Sequence, residues 1–212
     1  YYQTNKEGLF EIENGKSKLV SSDLIIKNSR VVNVFSIDEG LLIQTQSDGF
    51  YRLIDSNISK FVIDSELEIF SNTIYSSCTL SDGGFALGTI SNGVYILNKD
   101  GEIQYHIKQN KGLSNNTVLS LFEDIDKNLW VGLDNGINCI NLQSPVKTYT
   151  DDSGMLGTVY ASKLYNGNLY VGTNQGLFYK NYSSNNNFNF INGTKGQVWS
   201  LFEYDNILFC GH

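Results

Sequence analysis

Short apolar runs alternate with polar turns rich in Asn, Asp and Gly along the whole chain. Aligning on the glycine that opens a short apolar segment makes Gly8, Gly49, Gly93, Gly136 and Gly176 equivalent, at spacings of 41, 44, 43 and 40 residues. A regular period of that size marks a repeat architecture, and a period in the low forties that holds four short strands predicts a propeller blade. The reading is all-β: a β-propeller of four-stranded antiparallel blades with a 40–44-residue period, about five blades and a partial sixth, forming one domain over 1–212. The repeats run approximately 1–29, 30–70, 71–113, 114–155, 156–193 and, incomplete, 194–212.

First strands are predicted at 74–80, 118–122, 159–164 and 198–202, with a weaker one at 31–35. Second strands are predicted at 41–45, 85–89, 129–133, 169–173 and 207–211. Residues 1–4 form a second strand whose first strand is missing. Third strands begin at the five aligned glycines, and fourth strands are placed at 24–27, 60–63, 103–107, 147–150 and 188–191. The polar stretch 182–189 reads as a loop before the last of these. Val118, Leu121, Phe122 and Ile125 also match one face of a helix. The equivalent segment IYSSCTL at 74–80 is β-branched and aromatic, and the turn at 126–128 leaves no room for a helix of ordinary length, so a strand is preferred. The first and last pieces both supply a second strand, so the chain is expected to be cut from a larger ring.

The turns are made by Asn-Gly and Asp-Gly steps, consistent with 20 Gly and a single Pro. Gly136 and Gly176 open third strands, while Gly88, Gly132, Gly172 and Gly211 close second strands, where backbones are expected to approach closely. Gln3 and Gln44 take that place in the first two repeats, so those blades are expected to be less regular. Trp130 belongs to the repeat and is expected to pack between blades.

Net charge is −7 with no Lys/Arg cluster, which argues against a nucleic-acid surface. Cys78, Cys139 and Cys210 are odd in number, widely spaced and unaccompanied by a zinc pattern, so they are expected as small buried hydrophobes. No apolar run reaches the length of a membrane span, and the chain opens at Tyr1, as an excised piece would.

Residues 124–137, DIDKNLWVGLDNGI, resemble the two-component regulator propeller repeat: an acidic residue, a turn, Leu-Trp-Val-Gly, a second turn and a glycine-led strand. GLSNNTV at 112–118 resembles that family's blade-to-blade linker, and YVGTNQGLF at 170–178 matches the motif well. The resemblance covers essentially all of the chain, most specifically the fourth and fifth repeats. It implies the periplasmic or extracellular sensor part of a Bacteroidetes-type hybrid two-component system. In that family a membrane helix and a kinase or DNA-binding module lie downstream, and the input is in several cases a glycan fragment; a homodimer of the full-length sensor is an expectation.

The residues themselves suggest little chemistry. His106 is expected as a solvated residue of an outer strand and His212 is terminal, so a nucleophilic triad has little support. Paired carboxylates at Glu123/Asp124, Asp38/Glu39 and Asp151/Asp152 could suggest a glycosidase. Glu123 recurs as Glu203, however, and a position shared by successive blades is read as structural. The acidic turn at 124–126 lacks the loop of a calcium site, so no metal and no cofactor are expected.

The individual positions are better candidates. Leu119 in the fourth repeat corresponds to Tyr160 and Trp199 in the fifth and sixth, on strands that line the ring's central channel. Asn115, Asn116, Tyr160 and Trp199 are therefore the candidate ligand contacts, aromatic faces for a sugar and amides for its hydroxyls. The competing reading is that Tyr160 and Trp199 pack between blades. The expected function is a ligand-sensing module for a small ligand or glycan fragment, itself without enzymatic activity. The rivals are a protein-interaction scaffold and a polysaccharide hydrolase or lyase.

Overall fold

The apolar runs form strands, and each strand returns on its sequence neighbour through a tight turn. The computed structural model describes residues 1–63, 66–144, 146, 149, 151, 154–183 and 187–212. Two compact units, Tyr1–Thr148 and Tyr149–His212, divide the chain.

The first unit holds four sheets. The first sheet joins β1 (Tyr2–Thr4), β2 (Gly8–Glu13) and β3 (Lys16–Ser21), followed by the short helix α1 (Leu24–Asn28). Next come β4 (Val31–Ile37), β5 (Gly40–Thr45), β6 (Phe50–Ile54) and β7 (Asn57–Phe61), then α2 (Glu66–Phe70). The third sheet is β8 (Ile74–Thr79), β9 (Phe85–Thr89), β10 (Val94–Leu97) and β11 (Ile103–Ile107), then a 3-10 turn at Gln109–Lys111. The fourth is β12 (Val118–Glu123), β13 (Asn128–Leu133) and β14 (Gly136–Asn141). In the second unit, β15 (Val159–Tyr165), β16 (Asn168–Thr173), β17 (Leu177–Asn181) and β18 (Asn189–Phe190) form one sheet, and β19 (Ser200–Tyr204) and β20 (Ile207–Gly211) another. All pairings are antiparallel meanders, the architecture of propeller blades.

The strand reading of 118–122 stands: Val118, Leu121 and Phe122 lie on β12. Several outer strands are placed differently. The outer strand of the first sheet is Lys16–Ser21, and the apolar run expected there is instead α1, capped by Asp23 Oδ1 accepting from the Ile25 N–H at 2.9 Å. The outer strand expected at 60–63 is Asn57–Phe61, and that at 188–191 is Asn189–Phe190. The strand expected at 147–150 and the middle of the 182–189 loop fall largely outside the described residues.

The cores lie between successive sheets. Ile43 of β5 packs with Leu9, Ile26 and Leu53, whereas its neighbour Leu42 packs the other way, with Phe35, Phe50 and Phe85. Ala86 of β9 likewise faces Val118 and Val131, while Phe85 and Leu87 face back toward Leu42. Side chains alternate across a strand, so a strand buried on both faces must read as an unbroken apolar run. Linker hydrophobes also enter each core: Ile26 in one, Ile63, Ile69 and Phe70 in the next, Leu113 in the third and, in the second unit, Leu156. The run LIIK is apolar because Ile26 enters a core from a helix.

Second strands end in tight contact with the first strand of the next sheet. A Cβ on Gly88 would sit 2.5 Å from Val118 Cγ1, and one on Gly172 would sit 2.6 Å from Val198 Cγ1. On Gly132 and Gly211 it would collide with Ser120 Oγ and Ser200 Oγ of the paired strand. Gln3 and Gln44 do not loosen this junction. Gln3 Nε2 donates to the carbonyls of Ile26 at 2.6 Å and Ser29 at 2.7 Å, and its Oε1 accepts from the Val31 N–H at 3.0 Å. Gln44 is fully buried and accepts from the Ser77 hydroxyl. The amide ties the first two junctions by hydrogen bonds where glycine ties the others by contact.

The turns that follow are fixed by buried threonines. Thr45, Thr89 and Thr173 donate Oγ1–H to the carbonyls of Gly49, Gly93 and Gly176 at 2.8, 2.9 and 3.0 Å. The third-strand glycines hold positive φ, +102° at Gly136 and +146° at Gly176, conformations that side chains disfavour. Cys139 is exposed, contrary to the buried role expected for all three cysteines, because β14 is the outermost described strand of its sheet.

Gly88 has an ordinary φ, so Gly88→Ala tests contact alone. Overpacking of a filled core costs about 1–3 kcal/mol. Thermal unfolding followed by circular dichroism should show a lower Tm with an unchanged spectrum; an unchanged Tm would mean that the junction tolerates a methyl group.

Candidate functional site

The register of the first strands singles out one position per blade. Pairing skips a residue between Val31 and Asn33, Ile74 and Ser76, Val118 and Ser120, and Val159 and Ala161. A bulge leaves one residue out of the ladder and re-aims its side chain. The skipped residues are Val32, Tyr75, Leu119 and Tyr160. Trp199 occupies the same place at the start of β19, its N–H donating to the Gly211 carbonyl at 2.9 Å. The alignment of Leu119 with Tyr160 and Trp199 thus has a structural cause. It also adds Tyr75, 46% exposed, which the sequence reading passed over although IYS at 74–76 parallels VLS at 118–120.

Within the second unit Tyr160 and Trp199 come together. Their rings stack with centroids 4.4 Å apart and planes 24° from parallel. Tyr160 is 38% and Trp199 53% exposed, so the pair is both self-supporting and accessible.

Asn115 and Asn116 lie in the first unit. Asn115 Oδ1 accepts from the Thr117 N–H at 2.8 Å, an Asx turn that shapes the linker. Asn116 ties three segments together: Oδ1 accepts from the Gln109 N–H at 2.7 Å, and its carbonyl accepts from the Gly93 N–H at 2.9 Å. Asn116 also lines an open recess of about 460 Å³ with Asn92, Lys108, Gln109 and Asn110.

His106 is bonded to one of these residues, Asn92, and is not a solvated edge residue. It is half-buried, its ring stacks on Tyr95 at 3.8 Å, and Nε2 lies 2.8 Å from the Asn92 carbonyl. Burial lowers its pKa. Tyr95 beneath it is fully buried, and its hydroxyl pKa is pushed up to about 12 by burial and by Glu68.

Glu123, Glu203 and Asp124 have structural partners. Glu123 Oε2 accepts from the Ser81 N–H of the preceding sheet at 2.6 Å, and Glu203 pairs with Lys163 at 3.5 Å. Asp124 accepts from the N–H groups of Asp126 and Asn128 at 2.9 Å each. The Trp130 indole N–H donates to Asp124 Oδ2 at 2.7 Å. Trp130 is 43% exposed, so its described role is to brace the acidic turn of its own blade. Asp152 lies outside the described residues. Among the described residues no group of three or more His, Cys, Asp or Glu could hold a metal ion, and no helix is long and apolar enough to cross a membrane. Burial, and secondarily Glu123, push the Cys78 thiol up to about 11.

Residues 112–135 match the family model described as two component regulator propeller. No curated protein gives a significant match. Among solved structures, the chain is similar to an extracellular domain ascribed to a hybrid two component system of B. thetaiotaomicron. That likeness has 18% identity and a TM-score of 0.54, over 98% of this chain and 30% of that one. A second extracellular domain from B. thetaiotaomicron, ascribed to a one component system, is 20% identical over 97% of this chain and 30% of that one, with a TM-score of 0.48. An inactive variant of virginiamycin B lyase from Staphylococcus aureus is 12% identical over 93% of this chain and 74% of that one, with a TM-score of 0.47. At these identities the likeness concerns the fold alone. The chain spans about a third of the length of the two B. thetaiotaomicron domains.

The Trp130 bond, and secondarily the Asn128 N–H, hold Asp124 below the usual aspartate pKa. A carboxyl with a lowered folded pKa stabilises the fold above its unfolded value, and that contribution disappears as pH falls through the lowered one. In a Trp199→Phe background, Trp130 emission should therefore change with a midpoint below the usual aspartate range. Asp124→Asn should abolish the transition; a transition that persists in that variant would assign it to another group.

Proposed function

We propose that this chain, which carries the two-component regulator propeller repeat, is a ligand-sensing module of a membrane regulator. The observation that carries the reading is the stacked, half-exposed pair Tyr160 and Trp199, held at the bulge position of successive sheets. A stacked pair presents a flat apolar face with polar N–H and O–H rims, suited to the C–H face and hydroxyls of a pyranose ring. An oligosaccharide is accordingly the ligand class. Asn115 and Asn116 belong to the first unit and form no part of this aromatic face.

The module acts on the extracellular or periplasmic side. Its link to the membrane runs through segments outside this chain, and dimerisation belongs to the whole protein. Signalling requires that the ligand bind one state of that assembly more tightly than another. No cofactor takes part. Against a hydrolase reading, Glu123 and Glu203 have their oxygens engaged by Ser81 and Lys163. A pure scaffold reading leaves the exposed aromatic stack without a role.

Trp199→Ala tests the reading by isothermal titration against a panel of neutral oligosaccharides. Loss of one stacking face should weaken binding by about tenfold or more, with an unchanged thermal unfolding curve. Equal affinity in the variant would remove Trp199 from the site, and turnover of any glycan by the purified chain would overturn the non-enzymatic claim.

A further inference from the structure

Successive blades of the first unit treat one location differently. In the second sheet, Lys60 is paired across the strands with Tyr51, and its ammonium lies 4.8 Å from the Tyr51 ring centroid. It donates to the Asp48 carbonyl and forms an ion pair with Glu66 at 2.9 Å. The cation, its aromatic support and its counter-ion fill that corner. In the third sheet the register places His106 across from Tyr95, so His106 stands where Lys60 does and Asn92 where Asp48 does. The ring stack and the bond to the turn carbonyl are kept. The cation moves two residues on, to Lys108, and no counter-ion moves with it. The segment that follows supplies Gln109, Asn110 and Lys111 where the second blade supplies Glu66. Glu68 acts on Tyr95 and His106, but among the described residues Lys108 makes no ion pair.

The result is the open recess of about 460 Å³ lined by Asn92, Lys108, Gln109, Asn110 and Asn116. Its size lies within the range of small-molecule sites. The side chains that line it are all amides apart from one lysine, which can meet the hydroxyls and charge of a polar ligand. The wall is also fixed in advance: the Leu113 N–H donates to the Lys108 carbonyl at 3.2 Å, and Asn116 is tied to both Gln109 and Gly93. Two amides are oriented by their own bonds. Asn92 Nδ2 donates to the Tyr95 hydroxyl at 2.7 Å, which leaves Oδ1 as an acceptor. Asn116 Oδ1 is engaged by Gln109, which leaves Nδ2 as a donor. One uncompensated ammonium, one acceptor and one donor around a preformed recess complement a ligand bearing a carboxylate and hydroxyls.

We propose that this recess is a binding site for a carboxylated sugar, with Lys108 taking the carboxylate and Asn92 and Asn116 the hydroxyls. The site lies wholly in the first unit and does not depend on the Tyr160–Trp199 pair.

The test uses trigalacturonate as the anionic probe, a neutral galactose trisaccharide as its uncharged counterpart and acetate as the bare carboxylate, all titrated calorimetrically into the whole chain. Trigalacturonate should bind with an affinity that falls as salt rises. Lys108→Gln should weaken it by about tenfold or more, while Lys99→Gln, an exposed lysine elsewhere, and Trp199→Ala leave it unchanged. Failure of trigalacturonate to bind at millimolar concentration, equal binding by Lys108→Gln, or equal binding of acetate would overturn the proposal. Loss of binding in Trp199→Ala alone would place the anionic ligand on the aromatic pair instead.

Discussion

The structure depends on one close approach, repeated at each junction between sheets within a unit. The end of a second strand must come within van der Waals contact of the first strand of the next sheet. Gly88 against Val118 and Gly172 against Val198 meet this by having no side chain. Gln3 meets it by bonding three backbone groups of the following linker and strand, and Gln44 by bonding Ser77. Once that approach is fixed, both faces of β5 and β9 are covered. The apolar residues then divide alternately between two cores, and linker hydrophobes close each one. Hydrogen bonds across the junction reinforce the contact, as between Glu123 and Ser81.

The second strands β5 and β9 were legible in the sequence because burial on two faces writes an unbroken apolar run. Outer strands were not, for the same physical reason in reverse. Lys16–Ser21 is mostly exposed and reads KSKLVS, with little apolar signal. The adjacent LIIK is apolar because it delivers Ile26 to a core, and the Asp23 cap makes it helical. An apolar run records burial before it records conformation. The candidate site was legible only in part. The equivalence of Leu119, Tyr160 and Trp199 could be read from the period, but the bulge that selects this position, and hence Tyr75, requires the pairing register. His106 was misread because its support, Tyr95, lies on a different strand.

Positions shared by all blades therefore build the scaffold, and positions that differ are free to recognise. The covering residue on the third-strand aromatic shows this directly. Lys60 lies over Tyr51, His106 over Tyr95 and Phe190 against Phe178, three chemistries on one geometry. The bulge position behaves in the same way, from Val32 through Tyr75 to Trp199. A propeller can change its ligand at such sites without disturbing the junctions that hold it together.

The two tryptophans separate scaffold from recognition in one experiment. Trp130 braces Asp124, and Trp199 stacks on Tyr160 at an accessible face. Their indole N–H resonances can be followed by NMR while neutral oligosaccharides are titrated into the chain. The account predicts that the Trp199 resonance shifts with a saturable dependence and that the Trp130 resonance stays fixed. A saturable shift of Trp130 with Trp199 unmoved would contradict it.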